Sequence, residues 1–366
     1  MREKFINYIK APISKQDLNL IKFQTQDNQI TAGLLINKQE WFPIINGIPR
    51  MLVKELRKQM LRNHLIFYRT WLNELPLLVK TEWQEAVADV KDYNKFIQHQ
   101  EKTGASFAFE WKNIYQENNF EKQNFLHFIG PHITANDLKG KTVVDIGCGS
   151  GRFTKQAVVC GANIAFGTDL GESVEVAYEM TKGDEHICII QADIYCMPFF
   201  EIFDYAYSIG VLHHLPQPQV GFSSLVKLLK SGGQMIIWVY NRRHNRRALY
   251  IYEPIRSVMK FIPKKVLLKL CYIPALIVEG FNGLTKVFQK IGNKKLGNKI
   301  PFSYYANFPF SMKLNDSFDV LATPKSNYYF VEEIEDWFRQ SGFQSIKSYE
   351  HPEAGITCQG TKRVTR

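Results

Sequence analysis

Three acidic residues stand at intervals that can hold a polar ligand. Asp145 comes just before Gly147, Gly149 and Gly151, Asp169 lies eighteen residues past Gly151, and Asp193 follows in Gln191-Ala-Asp193. A carboxylate at the end of a strand accepts hydrogen bonds from hydroxyl or amino groups. Three glycines in five positions let the backbone turn tightly and approach a ligand closely. Downstream, Ser208-Ile-Gly-Val-Leu-His-His214 offers two imidazoles, the side chain that most readily takes a proton near neutral pH. Adjacent residues point to opposite sides, so at most one of His213 and His214 can serve as a base. The pair can equally cap the next helix and order the ligand wall.

These residues need elements to position them. Thr142–Ile146 is a short run rich in β-branched residues and reads as a strand buried on both faces. From Arg152 the chain reads as a helix whose free N–H groups face the glycine turn. Further strands are expected at 163–168, 186–191, 203–209 and 233–240, with helical stretches between them. That alternation predicts a parallel sheet covered by helices, with its ligand at the carboxyl ends of the strands. A dinucleotide fingerprint reads G-x-G-x-x-G. Here the third glycine is one residue early, Arg152 stands where the last should be, and Asp145 would repel a pyrophosphate. The pattern suits a ligand with a cationic amino-acid end, namely S-adenosylmethionine (SAM).

The stretch resembles motif I of the class I SAM-dependent methyltransferases, an acid followed by G-x-G-x-G. The resemblance implies an α/β fold with the doubly wound, Rossmann-like sheet of that family and SAM as cofactor. It implies a cofactor set of Asp145, Gly147, Cys148, Gly149, Gly151, Asp169, Leu170, Asp193, Ile194 and Ser208. Asp169 would accept the ribose hydroxyls and Asp193 the adenine amino group, with Ile194 packed on the ring. Phe42–Ile44, Gly47–Arg50, Gly232-Gly233, Ile237–Tyr240, Phe318-Asp319, Pro324 and Trp337-Phe338 extend the likeness over most of 41–362. They are similar to a bacterial group with a short zinc-ribbon-like remnant before the core and a lid insert after it. Ribbons of that kind also occur in tRNA-methyltransferase activators and carry paired cysteines; this chain has no cysteine before Cys148, so no metal is expected. Val320-Leu321 departs from the group's aromatic.

Methyl transfer is an in-line displacement in which positioning supplies much of the rate. His213 or His214 would act as base on a hydroxyl acceptor. Phe107 and Trp111 can stack on a sulfonium or adenine, or form a buried helix face; with Tyr240 they are the expected acceptor wall. The Asn/Asp-Pro-Pro-aromatic motif of amino methylation on bases and a Pro-Cys nucleophile are both absent.

The 366 residues, 45% apolar and 13% aromatic, are enough for a large core. Six cysteines without a C-x-x-C pair read as reduced thiols of a cytoplasmic protein. No uncharged apolar run reaches the roughly 18 residues that span a bilayer. From Arg242 to Lys299, fourteen Lys/Arg face two acids, a net +12 in a chain of +11. The expected units are a degenerate ribbon-like hairpin segment (1–60, with its turn at Asn46-Gly47), a helical extension (61–135), the SAM-binding core (136–242), a basic helical lid insert (243–315), and a closing helix and strands (316–366). The expected activity is O-methylation of a small-molecule, glycan or lipid-linked acceptor held under the insert, with possible contact to an anionic membrane surface. An RNA methyltransferase whose insert binds phosphates is the alternative. A non-catalytic SAM-binding partner is a further one.

Overall fold

The computed structural model describes residues 1–88, 120–245, 253–259, 261–322, 326–351 and 355–364. The chain opens with a four-stranded antiparallel sheet in the order β1-β2-β3-β4: β1 (Asn19–Gln26), β2 (Gln29–Ile36), β3 (Trp41–Ile45) and β4 (Ile48–Pro49). Asn46 and Gly47 have φ of 52° and 79°, the left-handed pair that a two-residue hairpin turn requires. The sequence shows this hairpin clearly but gives little sign of β1, whose residues are mostly exposed and so carry no apolar alternation. Successive residues of β3 point to opposite faces. Trp41 and Ile45 pack with Phe67 and Tyr68 beneath three helices, α1 (Lys54–Asn63), α2 (Leu65–Thr70) and α3 (Leu77–Ala88). Phe42 and Ile44 join the core of the main domain.

The main domain follows: α4 (Glu121–Ile129), α5 (Ala135–Leu138), β5 (Thr142–Ile146), α6 (Arg152–Val159), β6 (Ile164–Asp169), α7 (Ser173–Thr181), β7 (Ile187–Gln191), β8 (Phe203–Ile209), α8 (Pro218–Val226) and β9 (Leu229–Tyr240). An insert carries α9 (Glu253–Met259), α10 (Lys264–Lys290), α11 (Lys294–Gly297) and α12 (Phe310–Ala322); α13 (Val331–Gln340), β10 (Phe343–Glu350) and β11 (Gly355–Lys362) close the chain. The seven strands run β10-β11-β9-β8-β5-β6-β7. From β9 to β7 the pairs are parallel, while β11 is antiparallel to both neighbours. The order reverses between β5 and β8, which opens a crevice at their carboxyl ends. One core side holds Val144, Phe166, Phe203 and Phe222, and the other Val143, Phe125, Phe153 and Tyr207.

Two expectations need correction. The last parallel strand begins at Leu229 and not at 233, because Leu229 pairs with Phe203 across a register shift that absorbs the glycines. The segment 314–319, expected to return to the core, lies on α12, where Leu314 and Phe318 pack against Leu267, Cys271 and Ala275 of α10. The boundary at 315/316 therefore falls inside a helix.

Arg50 ties the two sheets together. It is 1% exposed, bridges Gln191 at the end of β7, donates to Gln191 Oε1 at 3.2 Å and pairs with Glu175 of α7.

Candidate functional site

The glycine turn after β5 sits at the crevice. Gly147, Gly149 and Gly151 all have positive φ. A Cβ on Gly147 would lie 2.3 Å from Val211 Cγ2, so only glycine lets this turn pass beside the loop after β8. Gly151 is the N-cap of α6.

A cavity at the ends of β5, β6, β7 and β8 is lined by Gly147, Gly149, Asp169, Leu170, Asp193, Ile194, Met197, Ile209, Gly210, Val211, His214, Leu215 and Pro216, with Ile146, Thr168 and Ala192. Asp169 Oδ2 accepts the Gly149 N–H at 3.0 Å and Oδ1 accepts the Gly171 N–H at 2.9 Å. Burial pushes its pKa up, and those same N–H groups pull it back. Asp193 Oδ1 accepts the Tyr195 N–H at 3.1 Å. The lining holds two carboxylates and no Lys or Arg. That donor set fits a nucleoside without phosphates: acceptors for ribose and amino groups, flanked by Leu170 and Ile194.

Of the sequence-derived cofactor set, Gly147, Gly149, Asp169, Leu170, Asp193 and Ile194 meet at this cavity. Asp145, Cys148, Gly151 and Ser208 do not line it. Asp145 lies beneath the turn, 2% exposed, accepting from Thr154 Oγ1 at 2.8 Å; burial raises its pKa to about 7. Ser208 donates to the Ile146 carbonyl at 3.1 Å and so ties β8 to β5. Cys148 is buried, and burial pushes its thiol pKa up. Met197 was missed, because nothing in its local pattern marks it as part of a wall.

The two histidines separate. His214 lines the cavity, and its Nδ1 lies 3.3 Å from Ser326 Oγ. His213 is fully buried behind it, without a hydrogen-bond partner for either ring nitrogen. Its ring centroid is 4.1 Å from that of His214 and 4.0 Å from that of Tyr240. Burial, then His214 and Arg256, hold its pKa well below the usual value. Tyr240 also stays off the cavity lining, because its ring stacks on Tyr328 at 5.5 Å and its hydroxyl donates to Asp319 at 3.3 Å. Phe107 and Trp111 lie outside the described residues.

The segment that follows the insert meets this face, and α9 of the insert holds that segment. Asn327 donates its backbone N–H to the His213 carbonyl at 2.8 Å. Arg256 of α9 donates to Ser326 Oγ at 2.8 Å.

Residues 144–237 match a family described as a methyltransferase domain. The chain carries a class I SAM-dependent methyltransferase domain. Its cofactor is SAM, in keeping with the phosphate-free lining. The chain is 28% identical over 148 residues to a tRNA U34 carboxymethyltransferase of Klebsiella pneumoniae, covering 38% of this chain and 43% of that protein. A relative of the same name from Pseudoalteromonas translucida is 30% identical over 147 residues, covering 38% and 45%. The chain thus spans less than half the length of the curated relatives it matches. Among solved structures, the magnesium protoporphyrin IX methyltransferase of Synechocystis, with bound SAH, is similar at 15% identity and a TM-score of 0.43 over 74% of this chain and 100% of that one. A methyltransferase–activator complex from Haloferax volcanii is similar at 14% identity and a TM-score of 0.42, over 73% and 99%.

Proposed function

We propose that this protein is a SAM-dependent methyltransferase of the cytoplasm whose acceptor is RNA. The observation that carries the transferase reading is the cavity at the β5/β8 switch, lined by Asp169, Asp193 and His214 together with Gly147 and Gly149 of the glycine turn. Bound SAM would supply a methyl group activated by the sulfonium. Asp169 and Asp193 would hold its ribose and adenine ends, with Leu170 and Ile194 against the ring. Val211, Leu215 and Pro216 keep water from the β8 side of the cavity. His214 is placed to take the proton that an acceptor hydroxyl or nitrogen loses, and Ser326 orients its ring. His213 packs behind His214 and fixes its position.

The acceptor reading rests on two supports. The curated relatives are named for tRNA, which favours RNA over the small-molecule, glycan or lipid-linked acceptor expected from the sequence. Arg242, Arg243, Arg246 and Arg247, ahead of the lysine-bearing helix, attract phosphates, and Arg256 of α9 reaches Ser326 beside His214.

The test is methyl transfer from labelled SAM into a host extract separated into RNA, lipid, glycan and small-molecule fractions. Label in RNA, with RNA affinity falling about tenfold or more between low and moderate salt, is expected. Label confined to another fraction overturns the RNA acceptor and keeps the transferase. No SAM binding overturns both.

A further inference from the structure

α10 shows the surface with the clearest unmet demand. Fifteen of the twenty-six exposed large hydrophobics among the described residues lie between 255 and 304. They are not scattered. At about 100° per residue, Leu267, Cys271, Ala275, Asn282 and Thr285 share one side of α10, and these are its buried residues. The opposite side carries Val266, Leu270, Ile273, Ile277 and Leu284, at spacings of four, three, four and seven. Ile273 is 60% exposed, Ile277 54% and Leu284 53%. Just outside the helix ends, Phe261 is 79% exposed and Ile291 68%. A contiguous apolar surface of this kind marks an interaction site.

The occupant follows from the charges beside the stripe. Lys265, Lys269, Lys286 and Lys290 flank it on the exposed side of the same helix, and Lys294, Lys295 and Lys299 follow directly. Glu279, the acid within α10, turns to the protein and pairs with the buried Lys313. A second copy laid along the stripe would bring lysine flank against lysine flank, and Pro274, Gly280 and Gly283 would interrupt the packing. RNA would satisfy the lysines but leave the aliphatic stripe in water. An anionic bilayer surface satisfies both, with apolar side chains below the headgroups and lysines among them.

By length and composition α10 could also cross a bilayer, and only 22% of its most apolar stretch is buried. Its inner side excludes that arrangement, because Leu267, Cys271 and Ala275 are packed on Leu314 and Phe318 of α12. α12 is 13 residues long and carries Lys313, Asp316 and Asp319, too short and too polar to enter a bilayer beside α10, so α10 lies on a membrane rather than passing through it.

We propose that α10 docks the protein peripherally on anionic lipid through the Val266–Leu284 stripe and its lysine flank. This placement is independent of which acceptor is methylated. It brings the insert close to the membrane plane.

The experiment is cosedimentation of the full chain with phosphatidylcholine vesicles, with and without phosphatidylserine. It uses wild type, Ile273→Asp/Ile277→Asp and Lys265→Gln/Lys269→Gln/Lys286→Gln. Both substituted surfaces are exposed, so SAM affinity and melting temperature should match wild type. The expected result is binding that needs phosphatidylserine and falls about tenfold or more in each variant. Equal binding by the Ile variant and wild type overturns the docking face, as does absence of binding to anionic vesicles. Without vesicle binding, concentration-dependent dimers abolished by Ile273→Asp/Ile277→Asp would assign the stripe to a second copy. RNA binding lost only in the Lys variant would assign the flank to RNA. Because no turnover is read, failure here is separable from failure of the RNA assignment.

Discussion

The Asp169 carboxylate accepts the backbone N–H of Gly149 at 3.0 Å, so the acid ending β6 fixes the turn that ends β5. One group thereby shapes the glycine turn and presents acceptor oxygen to the cavity. Hydrogen bonds to a charged partner contribute about 1.5–3 kcal/mol each. Asp169→Ala should therefore weaken SAM binding by roughly tenfold to a hundredfold while leaving the fold intact. Calorimetric titration with SAM and a circular-dichroism melt check this. Wild-type affinity in the variant sinks the ribose assignment.

Asp145 makes stability depend on pH in a definite direction. Its pKa rises from 3.8 to about 7, chiefly by burial, with Asp169 adding to the rise and Thr154 and Arg152 opposing it. In that window the folded state holds a proton that the unfolded state has lost. The slope of unfolding free energy with pH is then negative: the contribution is full below about pH 4 and is lost as pH rises through about 7. The unliganded protein should therefore lose melting temperature from about pH 5 to about pH 8, and Asp145→Asn should lose less. Parallel melting curves for the two proteins across that range would refute the shift.

His213 and His214 should respond differently to substitution, since only His214 lines the cavity. His214→Ala is expected to lower kcat by about a hundredfold or more, with SAM affinity nearly unchanged. His213→Phe keeps the ring packing against Tyr240 and removes two buried nitrogens without partners. It should keep kcat within about threefold of wild type and be no less stable, since such nitrogens cost free energy. Single-turnover assays on the labelled acceptor fraction decide the matter. A larger loss in His213→Phe than in His214→Ala would transfer the proton role to His213.

The sequence by itself determined the strand–turn–helix at 142–154 and the acids at successive strand ends. Those features are local: β-branched runs, glycines at positive φ and strand-terminal carboxylates express themselves within a few residues. Only the tertiary structure decided which members of that set reach the cavity. Asp145 and Ser208 are consumed by contacts to Thr154 and Ile146 across nine and sixty-two positions of chain. His213 is shut behind its neighbour by Tyr240, which arrives from β9. The insert was legible as basic and apolar, yet a sequence cannot state which side of a helix is covered. α10 is apolar on both its inner and its outer side. It takes the packing of α12 against Leu267, Cys271 and Ala275 to reveal that the Val266–Leu284 stripe remains uncovered, because burial is a property of pairs of elements and not of either one alone.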